Sequence, residues 1–349
     1  MANNRFETMK NLLDKSKFFK LVCGAGNEDR EEVKRLTILY TLAGVKGLDI
    51  SADSNIIKSC VDGIDYAFFY AKKVGVNLAT RPFITVSVGM KGDNHVRKAF
   101  IDFSICVKCK SCISVCPSNA ISDNLIVIKE KCIGCGNCSS ACPIDNVIRY
   151  EHQEKKLLDI LPKCLKAGAE HIELHASIAD DETVLKEWNL INKINNENHI
   201  SICLDRTHLS DFALVERIKK LKNISGERLI IQADGIPMSG NEDNFNTTLQ
   251  AVAIADIINK KFNKYFDKVS KKWIYKKNNE VNILISGGTN SLTLELAKKT
   301  DVKFQGISIG TYARRIVKDF IEDKNFYSDS SVIEKGVLLA KDLVMKNIL

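Results

Sequence analysis

The chain has 349 residues, of which 45% are hydrophobic and 27% are charged, and this composition excludes an intrinsically disordered protein. Five prolines and 19 glycines exclude a collagen-like or proline-rich architecture. The net charge of +8 comes almost wholly from residues 260–277, where eight lysines accompany one acid, Asp267, so we expect no extended nucleic-acid surface.

Neither a membrane span nor a secretory signal is expected. The longest nearly uncharged apolar stretch, residues 251–258, is too short to cross a bilayer and contains Asp256. The first seven residues lack the apolar core of a signal peptide. The sequence therefore predicts a cytoplasmic protein without a transmembrane segment.

Short apolar runs alternate with longer amphipathic runs along the chain. Strands are predicted at residues 18–23, 47–51, 83–88, 171–176, 200–204, 228–233, 282–286 and 305–309. Helices are predicted at residues 29–43, 55–74, 153–167, 181–195, 209–222, from 244 onward, 291–298 and as a closing pair after 311. Eight strand–helix units predict an α/β fold, a (βα)8 TIM-like barrel, with a doubly wound open sheet as the alternative.

About 50 residues interrupt this alternation after the third predicted strand. We expect residues 1–98 to form the first part of the barrel, 99–150 an inserted module, and 151–349 the remainder with the closing helices. Links from a strand to the next helix lie on the C-terminal face of a barrel, where active sites are built. The module is therefore expected over the barrel mouth.

Eight of the 12 cysteines lie in this module, in two runs that match at an offset of 26 residues. Each run has three cysteines separated by two residues and a fourth after three more, followed by proline. This is the spacing of bacterial two-cluster ferredoxins, in which the fourth cysteine of each run binds the other cluster. The predicted ligands of one [4Fe–4S] cluster are Cys106, Cys109, Cys112 and Cys142, and those of the other are Cys132, Cys135, Cys138 and Cys116.

Other uses of clustered cysteines fit this spacing less well. Structural zinc usually takes two cysteine pairs a dozen or more residues apart, and disulfides need an oxidising compartment. The apolar residues 125–128 are expected to form a strand that keeps water from the clusters. Taken alone, the module predicts electron transfer. The remaining cysteines are expected to be buried packing residues: Cys23, Cys60, Cys164 and Cys203.

Polar residues end several predicted barrel strands, where barrel enzymes place their chemistry. Glu173 and His175 are two residues apart on one strand, so their side chains should point the same way. The alternative to an acid–base pair is that these groups pair with one another inside the barrel. The catalytic candidates are Glu173, His175, Asp205 and Asp234, with further polar strand ends at Asp49, Ser87, Arg206, Gln232, Ser286 and Ser308.

Glycines follow the last two predicted strands. Gly287, Gly288, Gly310 and Thr311 are candidates for an anion site, because barrels often bind phosphate there through backbone N–H groups. Helix capping is the alternative. None of the units opens with a dinucleotide G-x-G-x-x-G fingerprint, so a flavin or phosphate ligand has no further support.

The basic segment at residues 260–277 also carries an apolar pattern. Phe262, Phe266, Val269 and Trp273 recur at intervals of four, three and four residues, which predicts a surface helix with one buried stripe. A basic docking face for an acidic partner is the alternative.

Several motifs along the chain belong together: FKLVCGA at residues 19–25, LYTLAG at 39–44 and LDISAD at 48–53, followed by the cysteine module and the long C-terminal region. With these motifs the whole chain resembles the light-dependent period protein family (LdpA) of cyanobacteria. The resemblance implies an iron–sulfur protein that reports cellular redox state to the circadian clock, with a redox partner or clock-associated proteins as its partners. The competing hypothesis is an oxidoreductase whose clusters pass electrons to a substrate or flavin at the barrel mouth.

Overall fold

Within residues 5–90, 96–152, 156–235, 244–286 and 292–348, which the computed structural model describes, eight parallel strands close into a barrel. None of the helices in these ranges is both long and apolar enough to cross a membrane. The strands are β1 (Phe18–Val22), β2 (Gly47–Ser51), β3 (Phe83–Gly89), β4 (Arg97–Ile101), β5 (Ile148–His152), β6 (His171–His175), β7 (Ile200–Leu204), β8 (Leu229–Asp234), β9 (Lys264–Asp267), β10 (Lys272–Tyr275), β11 (Asn282–Ser286) and β12 (Gly306–Ile309).

The barrel closes in the order β1, β12, β11, β8, β7, β6, β3, β2, and every neighbouring pair is parallel. The predicted TIM-like barrel is therefore confirmed. Each of the eight predicted strands matches a barrel strand to within about a residue at each end.

Amphipathic helices surround the barrel and cover the outward side chains of its strands. Aspartate or serine caps accept hydrogen bonds from the first-turn N–H groups of several helices, which explains where these helices begin. The helices are α1 (Arg5–Asp14), α2 (Arg30–Leu42), α3 (Ser54–Lys73), α4 (Ser111–Ser114), α5 (Asn137–Ser140), α6 (Leu157–Ala167), α7 (Asp181–Ile194), α8 (Asp211–Ser225), α9 (Asn244–Ile258), α10 (Thr293–Lys299), α11 (Thr311–Ile316), α12 (Lys318–Ile321) and α13 (Ser330–Lys346).

The N-terminal end of the barrel is closed by α1, which the sequence did not predict. Met9 and Leu13 of this helix form an apolar cluster with side chains from four barrel strands: Phe18, Phe83, Ile230 and Leu284. This plug makes one end of the barrel interior apolar. The closing pair of helices expected after residue 311 is in fact three helices, α11, α12 and α13.

The surface helix predicted at residues 260–277 is wrong. A single π-helical turn, Asn259–Asn263, leads into an antiparallel hairpin of β9 and β10. Phe266 and Trp273 are directly paired across this hairpin. Residues seven apart lie on the same face after two helical turns, but they can equally be cross-strand partners in a hairpin with a four-residue turn. The aromatic and β-branched residues of this segment favour strands.

The cysteine module leaves the barrel after β3 and returns to it before α6. β4 and β5 pair antiparallel at its base, and α4 and α5 are single turns 26 residues apart. The strand expected at residues 125–128 is wrong. Leu125 has a left-handed φ of 64°, which interrupts an extended run, and only an isolated bridge between Ile121 and Val127 forms there.

The module rests on the loop between β1 and α2. The Glu28 N–H donates to the Glu130 carbonyl at 2.8 Å, and the Lys131 ammonium lies 3.6 Å from Asp29. Because this loop follows the carboxyl end of β1, the module lies at the C-terminal face of the barrel, the face on which the sequence placed it.

Candidate metal centres and the barrel mouth

Four cysteines of the module line one pocket that is open to solvent. Three of them come from the first run and the fourth from the end of the second run. Apolar side chains, among them Leu125 and Val147, complete the wall. The cysteines are Cys106, Cys109, Cys112 and Cys142.

A second pocket is lined by the other four cysteines: Cys116, Cys132, Cys135 and Cys138. Tyr150 of β5 also borders this pocket, and its hydroxyl lies 3.8 Å from the Cys138 sulfur. The two groups of four coincide with the two ligand sets that the crossed ferredoxin spacing predicts. Ligation itself stays a prediction.

The backbone around both pockets follows the internal repeat. Lys108 and Lys110 in the first run have left-handed φ values of 57° and 64°, and their equivalents 26 residues later, Gly134 and Gly136, have 72° and 96°. The first run therefore places lysine where the second places glycine, the residue that adopts this conformation without strain. Both runs turn the chain tightly enough for three cysteines to face one space.

Backbone N–H groups point at the cysteine sulfurs. The N–H groups of Ala99, Lys108 and Ala120 lie 3.4, 3.4 and 3.2 Å from the sulfurs of Cys132, Cys106 and Cys116. Such donors stabilise thiolate, the form of cysteine that binds iron. Burial raises the pKa of Cys135 to about 11, so iron binding there would displace a proton. Four soft sulfur donors and N–H groups in an apolar pocket fit an iron–sulfur cluster.

Lys98 joins the second pocket to the barrel. Its ammonium, which is 3% exposed, donates to the carbonyls of Gly26, Lys129 and Cys132, at 2.7 Å for Lys129 and 2.9 Å for Cys132. Gly26 belongs to the loop between β1 and α2, so one buried cation holds that loop and the first cysteine of the second run together.

The barrel interior near its mouth contains a buried charge network. The Lys20 ammonium lies 2.6 Å from a Glu173 oxygen and 3.3 Å from an Asp49 oxygen. Ser201 and Gln232 donate to Glu173 at 2.7 and 2.8 Å. The register explains this convergence, because Lys20, Asp49 and Glu173 come from β1, β2 and β6 and all point inward. The network is further joined by Ser87, which donates to Asp49, and by His175, 3.7 Å from Glu173.

The network sets the charges of its members. Burial raises the pKa of Asp49, and although Lys20 opposes this, the value reaches about 7. For Glu173, burial is outweighed by Lys20 and His175, which bring its pKa down to about 2. Burial lowers the pKa of Lys20, but the two carboxylates more than offset it and leave the pKa raised. Glu173 and Lys20 therefore form the ion pair, and Asp49 is the group that can exchange a proton near neutral pH.

Of the four catalytic candidates, the structure brings Glu173 and His175 into this network. Asp234 accepts a hydrogen bond from the Cys203 thiol at 3.1 Å, and Cys203 is the β-sheet partner of His175. Asp205 takes its hydrogen bonds elsewhere, from the Ser177 hydroxyl and from the Thr207 N–H at 2.7 Å.

The candidate anion site is only half within the described residues. Gly310 is the residue before α11, and Thr311 is its first residue. Gly287 and Gly288 lie outside the residues that the structure describes. The anion site stays a prediction.

Two members of the network, Lys20 and Ser201, are not among the candidates predicted from the sequence. Lys20 lies inside the strand predicted at residues 18–23, which the structure forms as Phe18–Val22. A lysine inside an apolar strand is itself a signal, because a buried ammonium needs a carboxylate partner.

Two family models match this chain. The family model of the 4Fe-4S dicluster domain matches residues 99–150, and that of the light dependent period A C-terminal domain matches residues 164–346. The protein "Light dependent period A" of Synechococcus elongatus is 25% identical over 341 residues, which are 94% of this chain and 90% of that protein.

Solved structures with a similar course of the chain are more distant in sequence. Tryptophan synthase subunit alpha from Legionella pneumophila is 8% identical with a TM-score of 0.47, covering 99% of this chain and 98% of that one. The YdjI aldolase from Escherichia coli is 8% identical with a TM-score of 0.44, covering 97% and 92%. The match at residues 164–346 spans more than half of the chain, and with the dicluster domain at 99–150 it makes this chain an iron–sulfur protein of the light dependent period A family.

Proposed function

We propose that the chain is a redox-responsive regulator that binds two [4Fe–4S] clusters. The observation that carries this proposal is the division of eight cysteines between two separate pockets, with the last cysteine of each run in the pocket of the other run. Cys106, Cys109, Cys112 and Cys142 would hold one cluster, and Cys132, Cys135, Cys138 and Cys116 the other. Bound clusters of this type supply reversible one-electron transfer, and each electron taken up adds a negative charge inside the cysteine cage.

Two cations of the chain are placed to respond to such a charge. Arg97 donates to the Gly134 carbonyl at 3.0 Å and stacks over the Tyr150 ring at 4.0 Å. Lys98 holds the Cys132 carbonyl on one side and the β1–α2 loop on the other. Added negative charge would attract both side chains. A shift of Lys98 would also move the β1–α2 loop at the barrel mouth, because Lys98 contacts that loop.

The two pockets differ in the exposure of their cysteines, and in a regulator they would therefore have different roles. Cys109 is exposed, whereas Cys132 and Cys138 are buried. The first group therefore suits electron exchange with a redox partner protein, and the second suits coupling to the barrel. We further propose that the signal serves light-dependent period control through clock-associated proteins, as the name of the Synechococcus elongatus relative suggests.

An oxidoreductase is the second candidate, favoured by a small open pocket between the barrel mouth and the module. Ser87, Glu28 and Lys98 line this pocket, and Ser87 donates to Asp49 of the charge network. A small substrate group reaching this pocket would lie between the second group of cysteines and Asp49. Deleting the gene and profiling metabolites separates the candidates: one defined metabolite would accumulate for an enzyme, whereas a regulator changes a redox or rhythmic response.

The cluster assignment is tested by Cys116→Ser. Because Cys116 belongs to the second pocket, we expect this change to alter the electron paramagnetic resonance signal of the cluster on Cys132, Cys135 and Cys138. Cys60→Ser, a cysteine of α3 outside the module, is the matched control and should leave both signals unchanged. Loss confined to the cluster of the first run would contradict the crossed assignment.

A further inference from the structure

The hairpin of β9 and β10 has apolar side chains exposed on both of its faces. Phe266 and Trp273 pair on one face, with ring centroids 5.5 Å apart, and are 48% and 44% exposed. Tyr265 and Ile274 pair on the other and are 50% and 37% exposed. Val269, in the turn between the strands, is 92% exposed. Packing among the described residues therefore leaves both faces of the hairpin partly exposed.

The hairpin also carries most of the net charge of the chain. Residues 264–277 contain six lysines and Asp267 as the one acid. Asp267 is engaged within the turn, where it accepts hydrogen bonds from the N–H groups of Val269 and Ser270 at 3.3 and 3.0 Å. Among the described residues, no carboxylate lies within ion-pair distance of Lys268, Lys271 and Lys272 at the tip.

The base of the hairpin is held in place. The Tyr275 hydroxyl donates to the Asp301 carbonyl at 3.0 Å and accepts from the Lys303 N–H at 2.9 Å. Lys264 donates to the same carbonyl at 3.2 Å. The hairpin follows α9 and precedes β11, so it extends from the N-terminal end of the barrel, opposite the cysteine module. The tip is thus presented on a fixed support, and little order has to be gained on binding.

We propose that this hairpin docks the protein on the surface of a membrane containing anionic lipids. A bilayer surface surrounds an inserted tip and so covers both faces at once, whereas a flat protein surface covers one. Aromatic rings are favoured at the level of the headgroups, and lysines are attracted to anionic lipids. Val269 would reach deepest, with Phe266 and Trp273 behind it. The inference does not depend on the redox function, and it leaves the module at the far end free to meet a partner.

Sedimentation of the full-length, anaerobically purified protein with vesicles tests the proposal. We expect binding to vesicles of phosphatidylglycerol and phosphatidylcholine, weakening with salt, and no binding to phosphatidylcholine alone. Trp273 reports contact directly, because Trp188, the other tryptophan, is fully buried and shielded from acrylamide in both states. Binding to vesicles should therefore protect the fluorescence of Trp273 from quenching by acrylamide.

Paired variants define which features are needed. Lys268→Gln/Lys272→Gln should weaken vesicle binding by about 30-fold, since each lysine near an anionic surface contributes about fivefold. Lys186→Gln/Lys193→Gln, which removes the same charge from α7, should have a far smaller effect. Val269→Asn should weaken binding, and Leu338→Asn, an exposed leucine of α13, should not.

The proposal is overturned if the protein ignores anionic vesicles or if the hairpin variants bind as the wild type does. Protection of Trp273 by single-stranded RNA without vesicles would assign the hairpin to nucleic acid instead. Protection that grows with protein concentration alone would assign it to a second copy of the chain.

Discussion

The cysteine module and the barrel mouth assemble their polar groups in opposite ways. The module takes all eight cysteines from residues 106–142, and the spacing alone fixes their grouping. In the barrel, Lys20 pairs with Glu173, which lies 153 residues later in the sequence. The register of β1, β2, β3 and β6 brings the two side chains together. Local spacing can thus be read from a sequence, whereas a network between strands depends on how the whole barrel closes.

The two regions also differ in what holds them together. The apolar cluster of the module is small and includes Cys112, Cys132 and Cys138 among its buried members. The core of the barrel extends through the layer between all its strands and helices. The module should therefore depend on its iron, and the barrel on its packing.

Removing the iron should produce the largest effect. Metal binding in small metal-dependent domains contributes about 10 kcal/mol or more to folding, so the module should unfold when a chelator strips its iron. We expect residues 99–150 to lose protection from hydrogen exchange, measured by mass spectrometry, while β7 and β8 keep theirs. Equal loss of protection in β7 would contradict a division between the two regions, and so would unchanged protection of the module.

Removing the cation of the barrel network should have the next largest effect. Lys20→Met leaves the Glu173 carboxylate buried beside Asp49 without its partner, which should lower the free energy of unfolding by about 3–5 kcal/mol. Urea unfolding followed by circular dichroism measures the change. Lys20→Met/Glu173→Gln should recover much of the loss, and the exposed Lys186→Met should cost little. A cost below about 1 kcal/mol for Lys20→Met would show that the network is not an ion pair.

Lys98→Met tests the joint between the two regions. The variant leaves the carbonyls of Gly26, Lys129 and Cys132 without their charged donor, at a cost of about 2 kcal/mol to the docking of the module. Faster hydrogen exchange is expected in the β1–α2 loop. Lys129→Met, an exposed lysine of the same module, is the control and should leave that loop unchanged. Identical hydrogen exchange in both variants would show that Lys98 does not link the module to the β1–α2 loop.

The smallest effect is expected from pH at the apolar end of the barrel. Burial and the charge of Arg228 lower the pKa of His199 to about 4, so the folded state binds this proton less tightly than the unfolded state. Stability from His199 is complete above about pH 6.5 and is lost as the pH falls toward 4. Between pH 7.5 and 5.5 the loss should be about 1 kcal/mol.

His199→Phe isolates this contribution, because the ring of His199 stacks on Phe6 with centroids 4.3 Å apart and phenylalanine can keep that contact. Asp49 also makes stability depend on pH, but with the opposite sign, because its raised pKa gives stability that is lost as the pH rises toward 7. Since Asp49 is present in both proteins, its contribution cancels when the slopes of wild type and variant are compared. Parallel pH profiles of the two proteins would contradict the role of His199.

Sequence patterns predicted the barrel and the grouping of the cysteines because both rest on short-range regularities. The alternation of apolar and amphipathic runs predicts the eight barrel strands, and the repeat at an offset of 26 predicts the two groups of cysteines. Lys20 was missed because an isolated polar residue does not disturb the strand pattern. The β9–β10 hairpin was read as a helix because cross-strand partners and helix faces share a seven-residue spacing.

The metal content and reduced spectrum of the anaerobically purified protein test the central claim most directly. Two [4Fe–4S] clusters require about eight iron atoms per chain, and two reduced clusters held in the one module at residues 99–150 should give magnetically interacting signals in electron paramagnetic resonance. We predict that result for the wild type. About four iron atoms with one isolated signal, or zinc in place of iron, would contradict the account.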